Sequence, residues 1–213
     1  MDDYYDRRAD EYEQIYFRKI PKRRKEIDNE VTRLVEIGED KEILEFACGT
    51  GYWTSRISKT AKSITAFDAS AEMITQAKQK DYSCPIDFIQ ADLNNIPLQD
   101  IQFDFICLGF WFSHHPREKY NDLFDTLRAH LRQNGKIWMI DNNPPAEGPL
   151  NYSTGSDEYG NNYKKRFLDN GESFIIIKNY FTKNKLVEIF SNYFKIDRLT
   201  YGEYYWAIEL VLK

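Results

Sequence analysis

Between Glu42 and Asp141 the chain repeats one rhythm, a short apolar run followed by a helical stretch, and few folds accept it. The runs Glu42–Ala47 (EILEFA), Ser63–Phe67 (SITAF), Ile86–Gln90 (IDFIQ), Phe103–Gly109 (FDFICLG) and Lys136–Asp141 (KIWMID) read as strands. Helices are expected to start near Tyr52, Ala71 and Arg117. Strands that alternate with helices run parallel and are joined by right-handed crossovers, which builds an open α/β sheet with helices on both faces. Ligands of such sheets bind beyond the carboxyl ends of the strands, so the loops that follow these runs are where chemistry is expected.

The flanks extend that sheet. In the first 37 residues, Ile27, Val31, Leu34 and Val35 recur at helical spacing and predict an amphipathic helix over about 22–37, with Gly38 as its stop. After Asp141 comes a loop rich in Asn, Pro and Gly. A β-hairpin over 163–180 follows, turning at Asp169-Asn170-Gly171. Thr182 then caps a helix carrying Leu186, Ile189 and Phe190 on one side. Two last strands, about Phe194–Leu199 and Tyr205–Leu212, are expected to pair antiparallel across the turn at Gly202. The reading is one domain over 1–213, divided into an N-terminal lid or helix (1–37), a core (41–141), a loop and hairpin (142–181) and a closing helix and strands (182–213). About seven strands are expected, mostly parallel, with one antiparallel C-terminal strand and an inserted hairpin.

Composition excludes several functions. Of 213 residues 42% are hydrophobic and 15% aromatic, enough for a sizeable core and against wholesale disorder. No apolar run approaches the roughly 18–20 residues of a membrane helix, and the acidic start MDDYYDRRAD is unlike a secretory signal. Cys48, Cys84 and Cys107 lack metal-ligand spacing, and such a sparse set is expected to be reduced, in a cytoplasmic protein. A net charge of -5 offers no footprint for nucleic acid, and the cluster Lys22–Lys25 is expected to be a solvated helix start.

The sharpest local signal is Glu45-Phe46-Ala47-Cys48-Gly49-Thr50-Gly51, lying between the first strand and its helix. Gly49 and Gly51 permit a tight turn and let a ligand approach the backbone. Asp68, at the tip of the second strand, is placed to accept hydrogen bonds from ribose hydroxyls. Asp92, after the third strand, is placed to accept from the adenine amine. The turn has no phosphate-binding lysine, and Thr54 stands where a dinucleotide fold would prefer a third glycine. Together these features describe a nucleoside site without phosphate ligands. The plainer readings are that Asp68 caps the helix near Ala71 and that Asp92 is a turn residue.

EILEFACGTGYWT, ITAFDAS, FIQADL and FDFICLGF resemble the class I S-adenosylmethionine-dependent methyltransferases over about 41–141, with their Rossmann-like sheet. The segment RFLDNGESFIIIKNYFT is similar to the C-terminal part of a bacterial subgroup of that family. The resemblance implies S-adenosylmethionine as cofactor and S-adenosylhomocysteine as product. It implies that Glu45, Ala47, Gly49 and Gly51 shape the turn against the methionine part, and that Asp68, with Ala69 beside it, holds the ribose. Asp92 and the Leu93 N–H would read adenine, Met73 would pack near it, and the Gly109 carbonyl would face the methionine amine. Ala47 departs from the commoner glycine, a change that costs little if its φ is negative.

Methyl transfer from a sulfonium depends mainly on proximity and orientation, and needs a general base only where the acceptor must lose a proton. Trp111-Phe112-Ser113-His114-His115-Pro116 is similar to a W-x-S-H-x-P pattern of the subgroup, which makes His114 the candidate base. The alternative is that both histidines brace the helix near Arg117. Phe110, Trp111 and Phe112, with Tyr152, Tyr159, Tyr163 and Arg166 from the later loop and hairpin, are candidates for the acceptor pocket. Tyr4, Tyr5, Tyr12, Tyr16, Arg8 and Arg18 are candidates for a lid over the cofactor, Tyr16 and Arg18 touching it. The expectation is methyl transfer to oxygen or nitrogen of a small acceptor, by a monomer or homodimer. The rivals are a tRNA or protein methyltransferase, a non-catalytic cofactor-binding protein and, against Thr54, a nicotinamide-dependent oxidoreductase.

Overall fold

The computed structural model of the protein describes residues 4–8, 20–92, 96–98, 101–144 and 153–213. Its strands are β1 (Glu42–Phe46), β2 (Ser63–Asp68), β3 (Ile86–Gln90), β4 (Phe103–Gly109), β5 (Leu131–Asn142), β6 (Ser153–Ser156), β7 (Asn162–Phe167), β8 (Ser173–Ile177), β9 (Phe194–Tyr201) and β10 (Tyr205–Leu212). Its helices are α1 (Pro21–Ile37), α2 (Tyr52–Ile57), α3 (Ala71–Ala77), α4 (Tyr120–Ala129) and α5 (Lys183–Ser191), besides a helical stretch at 4–8. Among the described residues no helix is long and apolar enough to cross a membrane.

Seven strands form one sheet in the order β3-β2-β1-β4-β5-β10-β9. Strands β1 to β5 run parallel, whereas β10 is antiparallel to both β5 and β9. The chain winds outward from β1 in one direction to β3 and in the other through β4, so the order reverses beside β1. A crevice opens there at the carboxyl ends of β1 and β4.

Each face of the sheet carries its own core. Phe112, Phe124, Phe190 and Trp206 pack together under α4 and α5, while Ile27, Leu34, Trp53, Ile57 and Trp138 fill the side of α1 and α2. Helix α1 docks by charge as well. Arg33 forks onto wholly buried Glu209 with two bonds of 2.7 Å, and Glu26 accepts from the backbone amides of Glu203, Tyr204 and Tyr205. So the amphipathic helix read from the sequence lies behind the sheet, and its basic start is solvated except Arg23, which donates to the Tyr205 hydroxyl.

The expected elements are present, with two differences. Strand β5 begins at Leu131, ahead of the expected Lys136. The hairpin gains a third strand, β6, inside the stretch read as loop, and β6-β7-β8 form a small antiparallel sheet of their own. Ser153–Ser156 has no apolar alternation, so only its pairing with β7 makes it a strand. The turn between β7 and β8 uses Gly171 at φ +87°, as the Asn-Gly pair predicts.

Candidate active site

The glycine turn folds by left-handed residues. Ala47 has φ 52°, Gly49 55° and Gly51 79°. The Cys48 N–H donates to the Phe67 carbonyl at 2.8 Å, and the Gly49 N–H to Asp68 Oδ2 at 2.8 Å, so β2 fastens the turn from the side. A Cβ at Gly51 would run into the Tyr82 hydroxyl and Ala77, so close approach as well as φ requires glycine there. Ala47 does not meet the condition under which its methyl is unstrained: its φ is positive. A non-glycine residue in this region costs about 1–2 kcal/mol, held in place by the surrounding hydrogen bonds.

Asp68 ends β2 with both oxygens fixed by backbone, Oδ2 by Gly49 and Oδ1 by the Ser70 N–H at 2.9 Å. Burial pushes its carboxyl above the usual range, and the amides of Ser70 and Gly49 offset part of that rise. The cap of α3 is Ser70, whose Oγ accepts from the Met73 N–H at 3.1 Å, so Asp68 itself is not the cap. Beneath the turn, burial pushes the Glu45 carboxyl up to about 8, and its Oε2 is sequestered without a hydrogen bond.

These groups open onto a cavity of about 250 Å³. Gly49, Asp68, Met73 and Asp92 line one end, and Gly109, Trp111 and His114 line the other. Asp68 and Asp92 therefore border a common space beside the glycine turn. That donor set fits a nucleoside: acceptors for hydroxyls and an amine, an apolar wall from Met73, and no lysine in the turn.

At the far end the chain turns sharply through Phe110, whose φ is 57° and whose N–H donates to Ile140 at 2.8 Å. A 3₁₀ turn over Phe112–His114 follows. The His114 ring nitrogen Nδ1 lies 2.7 Å from the Ile177 carbonyl, which assigns the proton to Nδ1 and leaves Nε2 as the acceptor. Nε2 lies 3.5 Å from the Lys178 ammonium. Burial, aided by that ammonium, pushes the imidazole down to about 3. His115 lies with Nε2 3.1 Å from the Lys119 carbonyl and braces the helix start that follows.

Lys178 and Asp141 form a buried ion pair at 3.0 Å, their side chains 3% and 0% exposed. Lys178 also donates to Ser113 Oγ at 2.6 Å and to Asn142 Oδ1 at 3.0 Å, and Asp141 accepts from the Ser113 N–H at 2.9 Å. Burial works to raise the Asp141 carboxyl, but Lys178 and the surrounding donors hold it below the usual range.

A family model described as methyltransferase domain matches residues 43–135, which run from β1 into β5. The demethylmenaquinone methyltransferase of Staphylococcus epidermidis is 26% identical over 119 residues, 54% of this chain and 48% of that protein. The chain thus spans about half the length of the curated relatives it matches. Among solved structures, DhpI in complex with SAH superposes with a TM-score of 0.79 at 24% identity, over 99% of this chain and 94% of that one. DhpI with SAM and HEP gives 0.78 at 25% identity, over 98% and 94%. From β1 into β5 the chain thus matches a methyltransferase domain, and as a whole it shares the fold of DhpI.

The cavity gathers most of the residues singled out from the sequence. Ala47, Gly49, Asp68, Ala69, Met73 and Asp92 line it, as do Gly109, Phe110, Trp111 and His114. Glu45 and Gly51 support the turn from outside the cavity lining. Arg166 stands on β7 outside the cavity lining, and Phe112, expected in the pocket, is buried in the core under α4 and α5. Tyr16, Arg18, Leu93, Tyr152 and, in the lid, Tyr12 lie outside the described residues. Of the lid candidates Tyr5 reaches the cavity, its ring edge-on to His114 with centroids 5.9 Å apart.

Sequence reasoning missed the Lys178–Asp141–Ser113 cluster. A signal existed: Lys178 closes the run Phe174–Ile177, and Asp141 closes Ile137–Ile140. A charge that terminates a buried apolar run needs a partner, and here each supplies the other's.

Proposed function

We propose that this chain transfers the methyl group of S-adenosylmethionine to a small organic acceptor held in the same cavity. The observation that carries this reading is the shared space itself, with Gly49, Asp68 and Asp92 at one end and Trp111 and His114 at the other. Asp68 would hold the ribose hydroxyls, Asp92 the adenine amine and Met73 the adenine face, with Gly49 approached by the methionine part. When bound, the sulfonium supplies an electrophilic methyl group on a thioether leaving group. An acceptor lone pair forms the new bond as the carbon–sulfur bond breaks, and sulfur keeps that electron pair. The chain's own part is to align the two partners and exclude water.

Support for an acceptor other than RNA or protein comes from a relative named demethylmenaquinone methyltransferase and from DhpI, solved with HEP beside SAM. His114 fits positioning better than proton removal. Its Nδ1–H is already engaged, its Nε2 faces an ammonium, and at about 3 its basicity is too low to hold a proton near neutral pH. Calorimetry with S-adenosylhomocysteine is expected to show one-site binding, and methyl-labelled S-adenosylmethionine to label a low-molecular-weight fraction of cell extract. Absence of binding heat would end the reading, and label confined to RNA or protein would change the acceptor class.

A further inference from the structure

The wall of the cavity changes in chemistry from one end to the other. Beside the glycine turn it is bordered by Asp68, Ser70 and Asp92. At the far end the loop after β4 supplies Phe110, Trp111, His114 and His115, and the N-terminal helical stretch adds Tyr5. Among the described residues lining that end only Lys119 is charged, and it is exposed.

The two histidines add little polarity there. His114 has Nδ1 2.7 Å from the Ile177 carbonyl and Nε2 3.5 Å from the Lys178 ammonium, so both nitrogens are directed at protein groups outside the cavity lining. What the ring offers the cavity is carbon. His115 engages Nε2 with the Lys119 carbonyl and lies over Trp111, with centroids 4.7 Å and planes 34° apart. Burial holds both imidazoles below their usual range, so both are neutral near neutral pH. Tyr5 meets His114 at an interplanar angle of 90°, with centroids 5.9 Å apart. Two rings at right angles in one wall form a corner, and a flat ring fits it with its face on one and its edge on the other.

Tyr5 is anchored from both sides. Asp6 accepts from the hydroxyl of Ser70, the cap of α3 at the glycine-turn end. Tyr4 packs on Phe174 of β8 with centroids 5.5 Å apart, and Arg7 pairs with Glu172 beside it. Residues 4–8 thus bridge α3 and the hairpin with the Tyr5 ring between the anchors. A ring held before the acceptor arrives costs little to order on binding.

We infer that the methyl acceptor is a flat, apolar aromatic ring seated against Tyr5 and Trp111, and that Tyr5 is the residue that selects it. This rests on the methyltransferase reading and narrows its acceptor class. Selection works by shape and by π-faces rather than by charge. A saturated ring of the same skeleton is driven out of water as well, but it is thicker and has neither a face to stack nor an edge to match.

The test uses the full chain saturated with S-adenosylhomocysteine, titrated in a calorimeter with naphthol, its saturated counterpart decahydronaphthol, and the anion glycolate. Naphthol is expected to bind roughly tenfold or more tighter than the saturated alcohol. Tyr5→Ala should cut that preference to within about twofold, whereas Tyr5→Phe keeps the ring and should retain it. Equal binding of the two alcohols, no binding of naphthol, glycolate binding tighter than naphthol, or a preference that survives Tyr5→Ala would overturn the inference. Should Tyr5→Ala not fold, Tyr5→Leu and Trp111→Leu carry the same comparison. Failure of S-adenosylhomocysteine itself to bind would instead overturn the parent reading.

Discussion

Asp68 and Asp141 occupy matching places, at the carboxyl ends of β2 and β5, and both are largely withdrawn from water. Their partners differ. Asp68 is held by the Gly49 and Ser70 amides, and burial leaves its carboxyl above the usual range. Asp141 has a lysine, two backbone amides and a falling pKa. The first carboxylate keeps lone pairs for whatever enters the cavity. The second is spent internally, as a bolt that fixes β8 and the 3₁₀ turn to β5. One end of the site is built to receive hydrogen-bond donors, the other to hold a wall in position.

Breaking the bolt should have the largest effect. Lys178→Met leaves the Asp141 carboxylate buried without its cation, which costs about 3–5 kcal/mol of folding stability. Urea unfolding at neutral pH measures it. Adding Asp141→Asn removes the stranded charge and should recover more than half of the loss. A double variant no better than the single would mean that the pair is not coupled as drawn.

Asp68 should show the opposite profile, losing ligand more than fold. Two hydrogen bonds to a carboxylate are worth about 1.5–3 kcal/mol each, so Asp68→Ala should weaken S-adenosylhomocysteine by roughly 10²-fold. Calorimetry reads this directly. A loss below about threefold would detach the ribose from Asp68.

The two ends differ in how legible they were. Everything at the glycine-turn end is local in sequence: a glycine turn after an apolar run, then an acid at each following strand tip. The α/β winding fixes where those tips meet, so residues found one by one converge on a single cavity. At the His114 end the contacts join Ser113, Asp141 and Lys178 across different crossovers, and no local pattern pairs them. Strand β6 was hidden because STGS has no periodicity of its own. Ala47 was misjudged because composition shows which residue departs from glycine and is silent on φ.

Acidification should separate the two ends by sign. His114, held at about 3 against an ordinary 6.5, is neutral in the folded chain while the unfolded chain takes up a proton. Its contribution is intact above 6.5 and drains away as pH falls toward 3, by about 2 kcal/mol between pH 7 and 5. Glu45, raised to about 8 from 4.5, works in reverse: its contribution is fully present below 4.5 and is lost as pH rises through 8. From pH 7 to 5 the two offset each other. His114→Gln should therefore gain stability on acidification and Glu45→Gln should lose it, each by about 2 kcal/mol in chemical denaturation. Parallel curves for both variants would refute the assignment.

A smaller effect tests strain at the receiving end. Ala47→Gly relieves the φ of 52° and should add about 1 kcal/mol, a melting-temperature rise of a few degrees. Phe110, with φ 57° at the other end, is a poorer subject because its ring is 7% exposed and belongs to the core of the α1 side. Truncating it would mix relief of strain with a cavity.

The smallest effect concerns the contact that joins the N-terminal helical stretch to the hairpin. Arg7 pairs with Glu172 at 2.9 Å, but their side chains are 48% and 45% exposed. Exposed pairs of this kind are worth about 0–1 kcal/mol and are screened by salt. Arg7→Gln should change stability by less than about 0.5 kcal/mol, in contrast to Lys178→Met in the same hairpin. What holds residues 4–8 against the hairpin is instead apolar: buried Tyr4 against Phe174, and Tyr5 edge-on to His114. Tyr4→Ala should thus destabilise the chain severalfold more than Arg7→Gln in the same urea experiment, and high salt should erase what little Arg7 contributes while leaving the Tyr4 loss unchanged. If Arg7→Gln proves the costlier of the two, the hairpin is held from outside by charge, and the contrast between a buried bolt and a solvated surface contact fails.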